Sequence, residues 1–262
     1  MSVSRGLVEP ALRARIDAGG KCLVPYITGG FEGYLEAISA AAEAGADAIE
    51  IGVPFSDPVM DGPIIQEANE IVLAKGVTPA QILDEVAALD VEVPMAVMTY
   101  YNIAFRFGLE RFATTLISSG ISGVILPDMP LDEAGSWREV ADVAGVETIM
   151  LAAPTTPDER LVRICDATKG FVYAVGLLGV TGVRDELAAS AIEIAGRCKA
   201  VTTKPVLVGV GVGTPEQAAE VAAVADGCVV GSAVVRRLLD GEGPEGVGAF
   251  VGELRRALDG AA

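Results

Sequence analysis

The chain contains no histidine. That excludes a Ser-His-Asp triad, a histidine-liganded metal and histidine acid–base catalysis, and leaves any chemistry to carboxylates, tyrosines, lysines or backbone. Cysteine is scarce and scattered. Cys22, Cys165, Cys198 and Cys228 form no C-x-x-C pair, so they read as reduced, buried thiols rather than a disulfide or zinc framework. Lysine and arginine total 19 against 36 aspartates and glutamates, a net charge of −17, which argues against nucleic acid or an anionic membrane as a partner. No uninterrupted apolar run reaches the about 18 residues of a membrane-spanning helix. Residues 1–15 alternate charged and apolar side chains without the apolar core of a signal peptide. These absences lead to the expectation of a cytoplasmic protein, in which an anionic ligand must be held locally by backbone N–H groups or a few cations.

What is present is a regular alternation. The length of 262 residues is long for one ordinary domain but normal for an α/β barrel, and an apolar fraction of 51% supplies a large core. Short apolar runs predict strands over 22–27, 48–53, 95–98, 123–126, 148–151, 171–175, 205–208 and 227–230. Pro25 falls inside the first, where a proline is normally an edge or bulge residue. Helical spacing and caps predict helices over 7–18, 35–44, 64–75, 78–89, 109–118, 132–144, 157–168, 186–198, 215–224, 233–239 and 249–257. Strands that alternate so little are buried on both faces, and βα repetition implies a parallel sheet. Eight such units fit a (β/α)8 TIM barrel with extra helices, one domain over 1–262. A doubly wound open sheet is the alternative.

In a barrel, function gathers at the C-terminal ends of the strands. The stretch Ala48-Ile-Glu-Ile-Gly-Val-Pro-Phe-Ser-Asp-Pro-Val-Met-Asp-Gly-Pro63 places Glu50 inside a buried strand and Asp57 and Asp61 in the polar loop beyond it. A carboxylate in a strand interior is costly unless paired or used, and two acids in different environments can divide acid and base roles. Glu50 could equally be a structural carboxylate paired with a cation, and Asp57 and Asp61 could be turn residues before Pro58 and Gly62. Gly209-Val-Gly-Val-Gly213 and Gly231-Ser232 follow the last two strands, where barrels commonly bind phosphate on backbone N–H groups. Tight turns alone would also use these glycines. The spacing is not that of a dinucleotide loop. Tyr26, Tyr100 and Tyr173 lie in or at the ends of strands, either as core aromatics or as walls for a planar ligand.

The run Glu50-Ile-Gly-Val-Pro-Phe-Ser-Asp57-Pro-Val-Met-Asp61-Gly-Pro-Ile-Ile-Gln66 closely resembles the signature of the tryptophan synthase alpha chain family. Gly179-Val-Thr-Gly182, Gly209-Val-Gly211, Pro215-Glu-Gln217 and Gly231-Ser232-Ala233 resemble its later motifs, so the likeness spans about residues 5–258. The resemblance implies retro-aldol cleavage of indole-3-glycerol phosphate to indole and glyceraldehyde 3-phosphate. It implies Glu50 as general acid–base with a proton affinity raised by burial, and Asp61 as an ionised acceptor for the indole N–H. It further implies phosphate on backbone N–H groups around Gly182, Gly211, Gly231 and Ser232, and an indole pocket containing Tyr26, Ile65, Tyr100 and Tyr173. Thr181 would help order the acidic loop, and Pro54 and Asp57 would face a β chain in an α2β2 heterotetramer. No cofactor belongs to this chain; pyridoxal phosphate belongs to the β chain. Two loops depart from the family pattern. Thr28-Gly-Gly-Phe31-Glu32 stands where Thr-x-Gly-Asp-Pro is usual, and Gly176-Leu177 where Ser-Arg is common. These changes bear on closure and signalling to the partner. A different phosphate-binding barrel enzyme, such as a sugar-phosphate isomerase, would instead place a second carboxylate opposite Glu50 and turn Asp61 to solvent. A non-catalytic regulatory subunit would keep only the partner-binding surface.

Overall fold

The computed structural model describes residues 7–176, 184–209 and 211–261. The chain runs α1 (Val8–Asp17), β1 (Cys22–Thr28), α2 (Tyr34–Glu43), β2 (Ile49–Gly52), α3 (Pro63–Ala74), α4 (Pro79–Ala87), β3 (Met95–Met98), α5 (Tyr101–Phe107), α6 (Leu109–Ser118), β4 (Gly123–Ile125) and α7 (Gly135–Ala144). It continues β5 (Glu147–Ile149), β6 (Leu151–Ala152), α8 (Asp158–Ala167), β7 (Val172–Ala174), α9 (Arg184–Val201), β8 (Val206–Val208), α10 (Pro215–Ala222), β9 (Gly227–Val230), α11 (Ser232–Leu239) and α12 (Gly243–Gly260). The strands are all parallel, in the order β5-β4-β3-β2-β1-β9-β8-β7-β6. β5 and β6 are two halves of one position separated by Met150. Lys169 donates to the Thr148 carbonyl at 2.9 Å and Tyr173 to the Met150 carbonyl at 3.0 Å, so this position meets β4 on one side and β7 on the other. The nine strands of the described residues therefore make eight positions of a TIM barrel, and the open-sheet alternative falls.

Alternation within each strand sorts the core into two layers. Leu23, Ile49, Ile51, Val206, Val208, Cys228 and Val230 face the surrounding helices. Val24, Leu207 and Val229 point inward with Ala48, Ala96, Ile125 and Ile149 to fill the barrel floor. α1 closes that floor by burying Val8 and Leu12 against it. Glu50 lies between Ile49 and Ile51, so its side chain must face the barrel interior. Pro25 sits within β1, buried and in register with Val230, and the strand extends through it to Thr28.

Three helices differ from the sequence expectation, each through a tertiary contact. α5 follows β3 directly, where the sequence suggests only a strand-end loop. Its first N–H, from Tyr101, donates to the Asp128 carboxylate at 2.8 Å, a cap supplied from beyond β4. α7 begins at Gly135 rather than 132, because Asp132 is drawn to Arg160 (2.8 Å) and Arg163 (2.6 Å). α12 spans Gly243–Gly260 despite its glycines. A Cβ at Gly248 would stand 3.3 Å from that of Ala40, so the missing side chain lets α12 pack closely on α2. No described helix is long and apolar enough to cross a membrane.

Candidate active site

Glu50 is 2% exposed. Its Oε2 has no hydrogen-bond partner among the described residues, and the Tyr173 hydroxyl bonds the carboxyl. Burial, reinforced by the nearby Asp61 charge and opposed by the Tyr173 hydrogen bond, pushes its pKa up to about 8. Among the described residues no lysine or arginine pairs with it, so the structural-carboxylate alternative lacks its cation there.

Asp61 ends the polar loop after β2, just before α3. The Asn69 amide of α3 donates to its Oδ2 at 3.1 Å, and Gln66 Nε2 donates to its carbonyl at 2.7 Å. The Tyr100 hydroxyl accepts from the Met60 N–H at 3.0 Å and bonds the Asp61 carboxyl. Burial raises the Asp61 pKa, while the Tyr100 and Asn69 hydrogen bonds pull it down. Asp61 acts on Glu50 as an existing negative charge, so the pair loses its first proton at Asp61 and keeps its last at Glu50.

Both acids line one cavity of about 670 Å³ at the C-terminal mouth of the barrel, together with Tyr26, Ile65, Met98 and Tyr173. Two glycines make room for its aromatic walls. A Cβ at Gly52 would lie 1.8 Å from the Tyr26 hydroxyl, and one at Gly209 would lie 1.9 Å from the Tyr173 ring. Gly209 thus serves the fit of Tyr173 against β8 as well as the turn that follows.

Gly211, Gly213, Gly231 and Ser232 line the same cavity. Gly231 caps α11 without a side-chain hydrogen bond, and its carbonyl takes the Val234 and Val235 N–H groups. The earlier N–H groups of that helix, on Ser232 and Ala233, have no intrahelical acceptor and face an anion naturally. Across the mouth, the Gly213 N–H donates to Gln217 Oε1 at 2.8 Å.

Eight residues proposed from sequence therefore share one cavity: Tyr26, Glu50, Asp61, Ile65, Tyr173, Gly211, Gly231 and Ser232. Tyr100 does not line it. It is buried behind Asp61, with its ring stacked 5.0 Å from Phe55, and acts by holding the acidic loop. Pro54, expected on a partner-facing surface, is buried within the chain, whereas Asp57 is exposed and accepts from Ser56 Oγ at 2.6 Å. Thr181, Gly182 and Leu177 lie outside the described residues. Phe31, in the departing loop after β1, packs against the cluster of Tyr26, Ala68 and Val235. Asn69 and Gln66 were missed by sequence reasoning. Their signal was a pair of amides on the helix that opens directly after the second acid. Among the described lining residues Glu50 and Asp61 are the only acids, and Asp61 is turned into the cavity. Neither feature expected of a sugar-phosphate isomerase is met.

Comparison with known proteins places this arrangement. A sequence model of the tryptophan synthase alpha chain matches residues 13–251. The chain is 43% identical to the tryptophan synthase alpha chain of Streptomyces coelicolor, covering 100% of both proteins. It is 46% identical to that of Methanosarcina mazei over 84% of this chain and 82% of the relative. A crystal structure of tryptophan synthase from M. tuberculosis superposes with a TM-score of 0.87 at 37% identity, covering 96% of this chain and 98% of the other. The alpha chain from Legionella pneumophila superposes at 0.85 with 33% identity, over 99% and 98% of the two chains. With its barrel, its paired acids and these full-length likenesses, the chain belongs to the tryptophan synthase alpha chain family.

Proposed function

We propose that this chain cleaves indole-3-glycerol phosphate to indole and glyceraldehyde 3-phosphate by a retro-aldol reaction. The reading is carried by one observation: Glu50, buried with no cation beside it among the described residues, shares one cavity with Asp61, and its burial pushes its pKa up to about 8. With the indole ring among Tyr26, Ile65 and Tyr173 and the phosphate on the Gly211 and Gly231–Ser232 backbone, the reacting carbons lie beside Glu50. Protonated Glu50 gives its proton to C3 of the indole. Ionised Asp61 accepts the ring N–H hydrogen bond and stabilises the positive charge that develops there. The Glu50 carboxylate then takes the proton of the adjacent hydroxyl as the C–C bond breaks, so aldehyde and indole form and Glu50 is protonated again. Asn69 and Tyr100 hold Asp61 in its ionised form and in place. Anchoring the substrate at both its ring and its phosphate orders the reacting carbons beside Glu50 before reaction, which removes that entropy from the barrier.

The same reading makes the chain the α subunit of an α2β2 assembly, with indole passed to a β chain that carries pyridoxal phosphate. The exposed Asp57 of the acidic loop is placed to meet that partner. The test is indole release from indole-3-glycerol phosphate by the purified chain, alone and with a cognate β chain. Slow release alone, faster release with the β chain, and loss of at least about 100-fold in Glu50→Gln and Asp61→Asn is the expected result. No release even with the β chain would overturn the lyase reading and leave the regulatory subunit as the alternative.

A further inference from the structure

Backbone donors alone must otherwise hold a phosphate monoester in a chain of net charge −17. Among the described residues that line the cavity, only two side chains are cationic, Arg236 and Arg237 on α11. Their situations differ. Arg237 is committed to the fold: its guanidinium lies 3.4 Å from the centre of the Phe250 ring of α12 and donates to the Ala233 carbonyl at 2.6 Å. Among the described residues, Arg236 is held only by two long ion pairs, with Nη1 3.8 Å from Glu67 of α3 and 3.8 Å from Asp240. Those distances exceed a hydrogen bond. Arg236 stands one helical turn after Ser232 and lines the same cavity, so its long side chain needs only to swing away from Glu67 and Asp240 to reach that seat.

We propose that Arg236 is a phosphate-recognition residue, whose guanidinium leaves Glu67 and Asp240 to bind the substrate phosphate seated on Gly231 and Ser232. This rests on the reading of that seat as the place of the substrate phosphate. The planar guanidinium offers paired N–H donors that match phosphate oxygens, and such charge-assisted bonds exceed what a 3.8 Å contact to an exposed carboxylate provides. It also sets a positive charge at the mouth of a cavity in an acidic molecule, where a phosphorylated substrate is otherwise repelled. Glu67 competes for the same guanidinium, and because it belongs to α3 it links the phosphate end of the site to the helix that carries Asn69 behind Asp61.

The test separates the two ends of the substrate. Glycerol 3-phosphate and indole are titrated separately by calorimetry into the wild-type chain, Arg236→Gln, Arg236→Lys and Glu67→Gln, and KM and kcat for indole release are then measured. Arg236→Gln is expected to weaken glycerol 3-phosphate binding about tenfold and raise KM by a similar factor, with indole affinity and kcat within about twofold of wild type. Arg236→Lys recovers part of the loss, and Glu67→Gln tightens glycerol 3-phosphate. Unchanged glycerol 3-phosphate binding in Arg236→Gln overturns the assignment. So does parallel loss of indole and glycerol 3-phosphate, which marks a structural role. A wild-type chain that binds glycerol 3-phosphate but releases no indole refutes the lyase reading alone, since the titrations still decide Arg236. A wild-type chain that does not bind glycerol 3-phosphate overturns both.

Discussion

In the proposed mechanism Glu50 sets the chemistry, and its burial also costs stability, so the two effects share one cause. Its carboxyl binds a proton more tightly in the folded chain, with a pKa of about 8, than at its ordinary value of 4.5. Folding is therefore penalised progressively as pH rises between those values. The penalty is absent below about 4.5 and complete above about 8. Glu50→Gln removes the charge without changing the shape. That variant is expected to be inactive yet more stable than wild type, by on the order of a few kcal/mol above pH 8, with the gain vanishing toward pH 4.5. Urea unfolding followed by the fluorescence of Trp137, which is fully buried, measures both ends of that range. An equal gain at both ends would mean that packing, not ionisation, sets the difference. Glu50 was legible in the sequence because a lone carboxylate stands out inside an apolar run. Arg236 was not legible, because an arginine on a helix gives no sign of which cavity it borders until the barrel brings α11 over the mouth.

At the scale of elements, the strands were the most readable part. β3 and β9 cover the residues expected, since strands buried on both faces announce themselves as unbroken apolar runs. The helices were harder wherever their ends depend on distant residues. α5 takes its cap from Asp128, and α12 tolerates glycine because Gly248 meets Ala40. α1 was expected over 7–18 and spans Val8–Asp17, yet its cap too comes from a distant residue. Leu7 offers no side-chain cap, and the first N–H groups of the helix instead donate to Glu147 of β5, Val8 at 2.5 Å and Glu9 at 3.0 Å. That carboxylate ties the floor helix to the barrel across a sequence separation of 139 residues, more than half of the chain. Glu147→Ala is expected to cost about 1–2 kcal/mol, the range of a lost helix cap. The midpoint of urea unfolding should fall accordingly. Indole release measured well below the transition should stay unchanged, because Glu147 lies at the end of the strands remote from the cavity. Unaltered stability would mean that burial of Val8 and Leu12 docks α1 without the cap.

At the scale of the whole molecule, the barrel separates what stabilises from what reacts. The floor is apolar and plugged by α1, and the mouth carries the acids, the proposed phosphate seat and the apolar surface left over. That surface lies beside the acidic loop. Phe55 stacks on Tyr100, and the next residue, Tyr101, packs at 6.2 Å against Phe105, which is 64% exposed at the outer side of α5. Val59 in the same loop is 71% exposed. A large aromatic left in water next to the acidic loop is what an interface with a β chain would bury, and such aromatics commonly anchor interfaces. Phe105 is not among the residues that line the cavity holding the two acids, so its loss should spare the chemistry of the isolated chain. Phe105→Ala is expected to leave indole release by the chain alone within about twofold, while the β-chain concentration needed for half-maximal stimulation rises about tenfold. A titration of β chain against both proteins reads the two quantities together. Stimulation that saturates at the same β-chain concentration would place the docking surface elsewhere on the barrel mouth and leave Phe105 as an ordinary exposed side chain.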